Sequence, residues 1–86
     1  MHIIRISAVW CSSCIVTYQD FLKFKEFYPE FTYEELDYDR DAIEKYKVGS
    51  ILPLLLFLKE GREVYRLEGE YTKKEMEDII HEKMGM

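Results

Sequence analysis

The chain has 86 residues, a formal net charge of −5, and 48% apolar and 34% charged side chains. That length sets a single domain over 1–86 as the expectation, with a modest core, and an aromatic share of 15% argues against disorder. An acidic balance makes nucleic acid a poor partner, and no apolar run approaches the roughly 20 residues that span a bilayer. The opening "MHIIRISAVW" lacks the basic region, apolar stretch and cleavage site of a signal peptide, so the expected compartment is the cytoplasm.

"HIIRIS", His2 to Ser7, carries Ile on both alternating faces, the pattern of a central strand covered on both sides. The run breaks at Ala8-Val9-Trp10, and the only two cysteines, Cys11 and Cys14, follow. From Cys14 a helix is expected, with Ile15, Tyr18 and Leu22 along one stripe and Phe21, Phe24, Phe27 and Tyr28 beside it. Pro29 ends it near Phe27 or Tyr28, because the residue before proline disfavours helix. "FTYEELDYD", Phe31 to Asp39, is acidic and imperfectly alternating, which predicts an edge strand whose charges block pairing with other chains. Asp41-Ala-Ile-Glu44 has the form of a helix start, giving a short helix to about Tyr46 that Gly49 punctuates. "LPLLLFL", Leu52 to Leu58, is a buried strand. A turn at "KEGR" leads to its antiparallel partner "EVYRLE", Glu63 to Glu68, which Gly69 breaks. Thr72 and Glu75 are spaced as a capping box, followed by an apolar stripe of Met76, Ile79, Ile80 and Met84.

A bridge between cysteines three apart closes almost no loop and constrains little of the unfolded chain, so the value of this pair is chemical more than structural. At a helix N-terminus the unpaired N–H groups and the macrodipole favour a thiolate, the attacking species in disulfide exchange. Ser12 and Ser13 admit two readings. They tune the Cys11 thiolate by hydrogen bonding, through a hydroxyl or the Ser13 N–H, or they are small polar residues suited to a first turn. His2 and His81 read as isolated histidines, and the acidic run lacks the spacing and glycine of a calcium loop.

A strand feeding Trp10-Cys11-Ser12-Ser13-Cys14 into a helix resembles the thioredoxin family. Leu52-Pro53 before a Leu-rich strand, the Gly61 turn and Gly69 before the last helix extend the resemblance from about Ile3 to Met84. It implies an α/β thioredoxin-like fold: a four-stranded mixed sheet in the order 2-1-3-4, flanked by three helices, without the first strand and helix of typical thioredoxins. It implies a cis Leu52–Pro53 bond, with the Leu52 backbone open to a substrate strand and Trp10 lining the groove. Cys11 is then the exposed nucleophile and Cys14 the more buried resolving thiol.

Three departures stand out. Ser12-Ser13 replaces the usual Gly-Pro, Gln19 replaces a helix-kinking proline, and Arg5 stands where the family has a buried Asp. The family's lysine partner falls on Glu35, so the pair has exchanged signs. Two readings follow: Glu35 takes the Cys14 proton through water while Arg5 steadies it, or both side chains reach solvent at an exposed edge. The implied activity is protein-disulfide reduction with no cofactor or metal, by a monomer drawing electrons from a thioredoxin-reductase-type donor. A glutathione-linked glutaredoxin is the near alternative, although "EGEYTKKE" is not the expected glutathione-holding segment. The others are a dimeric module in which Cys11 and Cys14 of two chains hold a metal, and a noncatalytic interaction domain.

Overall fold

The computed structural model describes residues 1–41 and 43–83. Strand β1 (His2–Ser7) buries Ile3, Ile4, Arg5 and Ile6, so both of its faces are covered. It pairs in parallel with β2 (Thr32–Asp37) on one edge and antiparallel with β3 (Leu54–Lys59) on the other. Strand β4 (Arg62–Glu68) completes the sheet antiparallel to β3. The order is β2-β1-β3-β4, as the resemblance implies, with β2 at the edge. β3 and β4 are joined through Glu60 and Gly61, both at positive φ, +54° and +78°. A two-residue turn of that hand matches the twist of the strands it joins.

Helix α1 (Ser12–Phe27) stops at Tyr28, one residue before Pro29. Its buried stripe is Cys14, Thr17, Phe21 and Phe24. This corrects the expected stripe: Ile15 is 66% exposed, as is Phe27. The helix is rotated because its first turn turns Cys14, not Ile15, toward the sheet. Helix α2 (Lys73–Glu82) buries Met76, Ile79 and Ile80. Met84, expected to extend that stripe, lies outside the described residues. Thr72 and Glu75 form the capping box, and Asp20 of α1 accepts the Lys73 N–H at 2.9 Å, tying the start of α2 to α1. Both helices lie over one face of the sheet, around Ile3, Phe21, Phe24, Leu55, Phe57 and Ile80.

The other face buries Ile4, Ile6, Leu54 and Leu56 under Tyr38, Ile43, Tyr46 and Val48. Here a third α-helix was expected, and only a 3₁₀ turn, Glu44–Tyr46, forms among the described residues. Asp41 does not start a helix; its carboxylate accepts the Asp37 N–H at 2.6 Å. Asp37 in turn accepts the N–H groups of Asp39 and Arg40, a local turn that competes with helix. Ala42, within the expected helix start, lies outside the described residues. The residue that ends the turn in the left-handed region is Lys47, not Gly49. Arg66 of β4 holds the segment down, donating to the carbonyls of Tyr46 at 2.6 Å and Lys47 at 3.1 Å while Glu63 pairs with it at 2.9 Å.

Thr72→Ala removes the half of the α2 capping box in which the Thr72 hydroxyl accepts the Glu75 N–H, keeps the backbone N–H that Glu75 accepts, and should destabilise the fold by about 1 kcal/mol. Urea unfolding should register it as a lower midpoint with an unchanged slope.

Candidate active site

The site is built where β1 ends and α1 begins. Cys11 is the N-cap of α1, in extended backbone at φ −94°. Its sulfur accepts the Cys14 N–H at 3.2 Å, the place a Ser or Asp oxygen holds at most helix starts. No acidic residue occupies the first turn to oppose negative charge there. Both cysteines are free thiols. Cys14 is 3% exposed, and Cys11, expected to be open, is only 8% exposed. Cys11 is shielded because it packs in one cluster with Ala8, Cys14 and Leu52.

The loop that enters β3 completes the surroundings. The Leu52–Pro53 peptide is cis. The Pro53 carbonyl accepts the Gly69 N–H at 2.9 Å, and Gly69 holds φ +90°, a backbone state that favours glycine. Trp10 is 62% exposed beside the cysteines, and its Nε1 donates to Asp39 at 2.6 Å. Its ring meets Tyr38 edge-on. The Ser13 hydroxyl donates to Glu70 at 2.9 Å, and Cys14, not Ser13, supplies the N–H to the Cys11 sulfur. Asp39 and Glu70 were not legible as site residues, although Glu70 directly follows Gly69.

Arg5 and Glu35 are register partners on β1 and β2. The expectation that both reach solvent fails for Arg5, which is 4% exposed under α1. Glu35 keeps a side chain 40% exposed, and the two meet loosely, Arg5 Nη1 to Glu35 Oε1 at 3.8 Å. Both line a groove of about 300 Å³ between α1 and β2, together with Cys14, Tyr18 and Asp37. His2, read as isolated, instead bonds Thr32 at 2.7 Å and Glu34 at 3.2 Å. Among the described residues no three His, Cys, Asp or Glu side chains converge as a metal site. Among the described residues no helix is long and apolar enough to cross a membrane.

Burial pushes the Cys14 thiol up to about 11, with the hydrogen bond and charge of Cys11 acting the same way. A backbone hydrogen bond from Ala8 and the charge of Arg5 act against them. The folded protein therefore holds this proton where the unfolded chain releases it. The resulting stability is present below about pH 9 and is lost as pH rises through about 11. Burial also raises the Tyr33 phenol to about 12, with the same sign at higher pH. The reduced protein should lose stability on this alkaline limb, and Cys14→Ser should flatten its lower part; urea midpoints across the pH series check it.

Comparison with known proteins places this geometry. The Thioredoxin family model matches residues 1–82. Thioredoxin-1 of Saccharomyces cerevisiae is 35% identical over 69 residues, covering 78% of this chain and 66% of the relative. An H-type thioredoxin of Fagopyrum esculentum is 33% identical, covering 78% of this chain and 59% of its own length. The matched part of the chain thus spans 59% to 66% of the length of these curated relatives, less than two thirds. A thioredoxin structure from Fasciola hepatica superposes with a TM-score of 0.83 at 28% identity, covering 95% of this chain and 80% of that one. A malarial protein structure matches with a TM-score of 0.89 over 96% of both chains, at an identity of 20% that speaks for the fold alone. A cysteine pair on the first turn after the central strand, a cis Leu52–Pro53 bond whose Leu52 packs in one cluster with the pair, and a family match across nearly the whole chain establish that this protein belongs to the thioredoxin family.

Proposed function

We propose that the protein is a thiol–disulfide oxidoreductase that reduces protein disulfides. One observation carries the reading: a free Cys11–Cys14 pair at a helix start, with the Cys11 sulfur held by the Cys14 amide and bordered by Leu52. Cys11 attacks a substrate disulfide as thiolate, and Cys14, one turn on, resolves the mixed disulfide. Trp10 offers an exposed ring to the substrate, and the Leu52 backbone pairs with it as an added strand. Pro53 and Gly69 shape the loop that presents Leu52. Glu35, open to water in the groove beside Cys14, takes the resolving proton through that water, and Arg5 steadies its carboxylate. The electrons reside in the two cysteines, so no cofactor is required. A thioredoxin-reductase-type donor, a monomeric state and a cytoplasmic location complete the reading.

Cys14→Ser should trap substrate proteins as mixed disulfides, and Cys11→Ser should trap none. Equal trapping by both variants overturns the assignment of roles. Recycling by a NADPH-linked thioredoxin reductase should exceed recycling by glutathione; the reverse would make the protein glutaredoxin-like. Stoichiometric zinc or a coloured cluster in the purified protein would favour a metal module instead. Glu35→Gln keeps shape and removes the base, so it should slow the resolving step and alter its pH profile. An unchanged profile leaves the Arg5–Glu35 contact a weak ion pair worth ~0–1 kcal/mol.

A further inference from the structure

Arg5 is a cation buried without a close counter-charge. Its Nε donates to the Tyr71 hydroxyl at 3.3 Å, Nη1 to the Ser7 hydroxyl at 3.0 Å, and Nη2 to the Cys14 carbonyl at 2.6 Å. The rings of Tyr18 and Phe21 lie 5.0 and 5.6 Å from the guanidinium carbon. These neutral partners satisfy the donors and leave the charge. The carboxylate within ion-pair range among the described residues is Glu35, 3.8 Å away and half in water. Arginine cannot shed its proton to relieve the burial. A positive charge fixed in a poorly solvated place interacts strongly with any anion formed nearby. The sulfur of Cys14 belongs to the very residue whose carbonyl Arg5 grips.

We propose that Arg5 is a positioning residue for the resolving step: it anchors the first turn of α1 through the Cys14 carbonyl and stabilises the negative charge that the Cys14 sulfur carries once its proton has left, before that charge passes to the departing substrate sulfur. This rests on the oxidoreductase reading above. In that step the Cys14 S–H proton leaves to water in the groove. The Cys14 sulfur bonds to the Cys11 sulfur, the bond from Cys11 to the substrate sulfur breaks, and the substrate departs as a thiolate. Together with the first exchange, the dithiol gives two electrons to the substrate disulfide. The groups facing Arg5 and Cys14 are Cys11, Tyr18, Tyr71, Glu35 and Asp37. Tyr71 is raised by burial and stays a neutral phenol, so it does not compete for the charge. The Cys14 proton is held by burial, and Arg5 opposes that hold. Glu35 receives the proton; Arg5 makes its departure easier.

The test separates charge from shape. Arg5→Lys keeps the charge and loses the fork; Arg5→Met removes the charge at similar length. In a Cys11→Ser background, the pH dependence of the rate of alkylation by iodoacetamide titrates Cys14 alone, free of the seven tyrosines whose phenolates absorb with thiolate in the ultraviolet. Arg5→Met should move that titration about one pH unit upward, with Arg5→Lys near the parent, because one unit corresponds to a tenfold change in ionisation. In the otherwise intact chain, release of substrate thiol from the mixed disulfide at neutral pH should slow about tenfold in Arg5→Met and far less in Arg5→Lys. Should Arg5→Met fail to fold, Arg5→Gln replaces it, as a neutral side chain that still donates to the carbonyl. An unmoved Cys14 titration in the neutral variant, or equal shifts in the Lys and neutral variants, overturns the proposal. A shifted titration in a protein that forms no mixed disulfide at Cys11 would uphold the Arg5–Cys14 coupling and overturn the oxidoreductase reading instead.

Discussion

The structure depends on β1 being buried on both faces and hydrogen-bonded on both edges. A six-residue strand in that position must place apolar side chains up and down, and Ile3, Ile4 and Ile6 do so. Everything else is hung on it: β2 and β3 take its edges, the two helices take the face of Ile3, and the segment around Tyr38 and Tyr46 takes the face of Ile4 and Ile6. Because the strand cannot shift register without exchanging its faces, its end is fixed in space. Ala8, still buried, hands the chain to Cys11 through the Cys11 N–H to Ala8 carbonyl bond at 3.1 Å. The placement of the cysteine pair is thus inherited from the middle of the sheet.

Arg5 is the exception in that strand. Burying a charge is costly, and here the cost is limited by three hydrogen bonds, two aromatic faces and a loose ion pair with Glu35. A methionine or leucine would fill the space with less conflict, as replacements of buried ionic groups by apolar ones often show. A stability argument therefore does not account for Arg5. The groups it touches do: its shortest bond goes to the Cys14 carbonyl, in the first turn of α1.

Much of this was legible in the sequence. The strand order followed from the run of elements and the matched motif, the α2 cap from Thr72 and Glu75, and the site from two cysteines after Trp10. What escaped detection was set by contacts distant in sequence. The phase of α1 could not be fixed from its own periodicity, because Ile15, Tyr18, Phe21 and Phe24 give apolar residues on more than one side, and the sheet chose among them. Asp41 carried a helix-start pattern, but Asp37 turned the chain first. Whether Arg5 was covered or open at the edge stayed undecided in the sequence, because its β2 partner is an edge residue; that α1 would cover one and not the other is a property of packing. Asp39 and Glu70 entered the site only through their bonds to Trp10 and Ser13, which no spacing rule announces.

Trp10 is the chain's single tryptophan, and it stands outside the core, its indole N–H on Asp39 and its ring against Tyr38. Its emission is consequently a gauge of the corner that holds the cysteines and not of the packed interior. Oxidation of the neighbouring cysteines, a peptide settling on the groove, or loss of the Asp39 bond would each alter that signal while Phe21, Phe57 and Ile80 stayed in place. Fluorescence and far-ultraviolet dichroism therefore follow different parts of this molecule. Where their melting curves separate, the gap measures local opening at the cysteines and is not by itself a sign that the domain unfolds in stages.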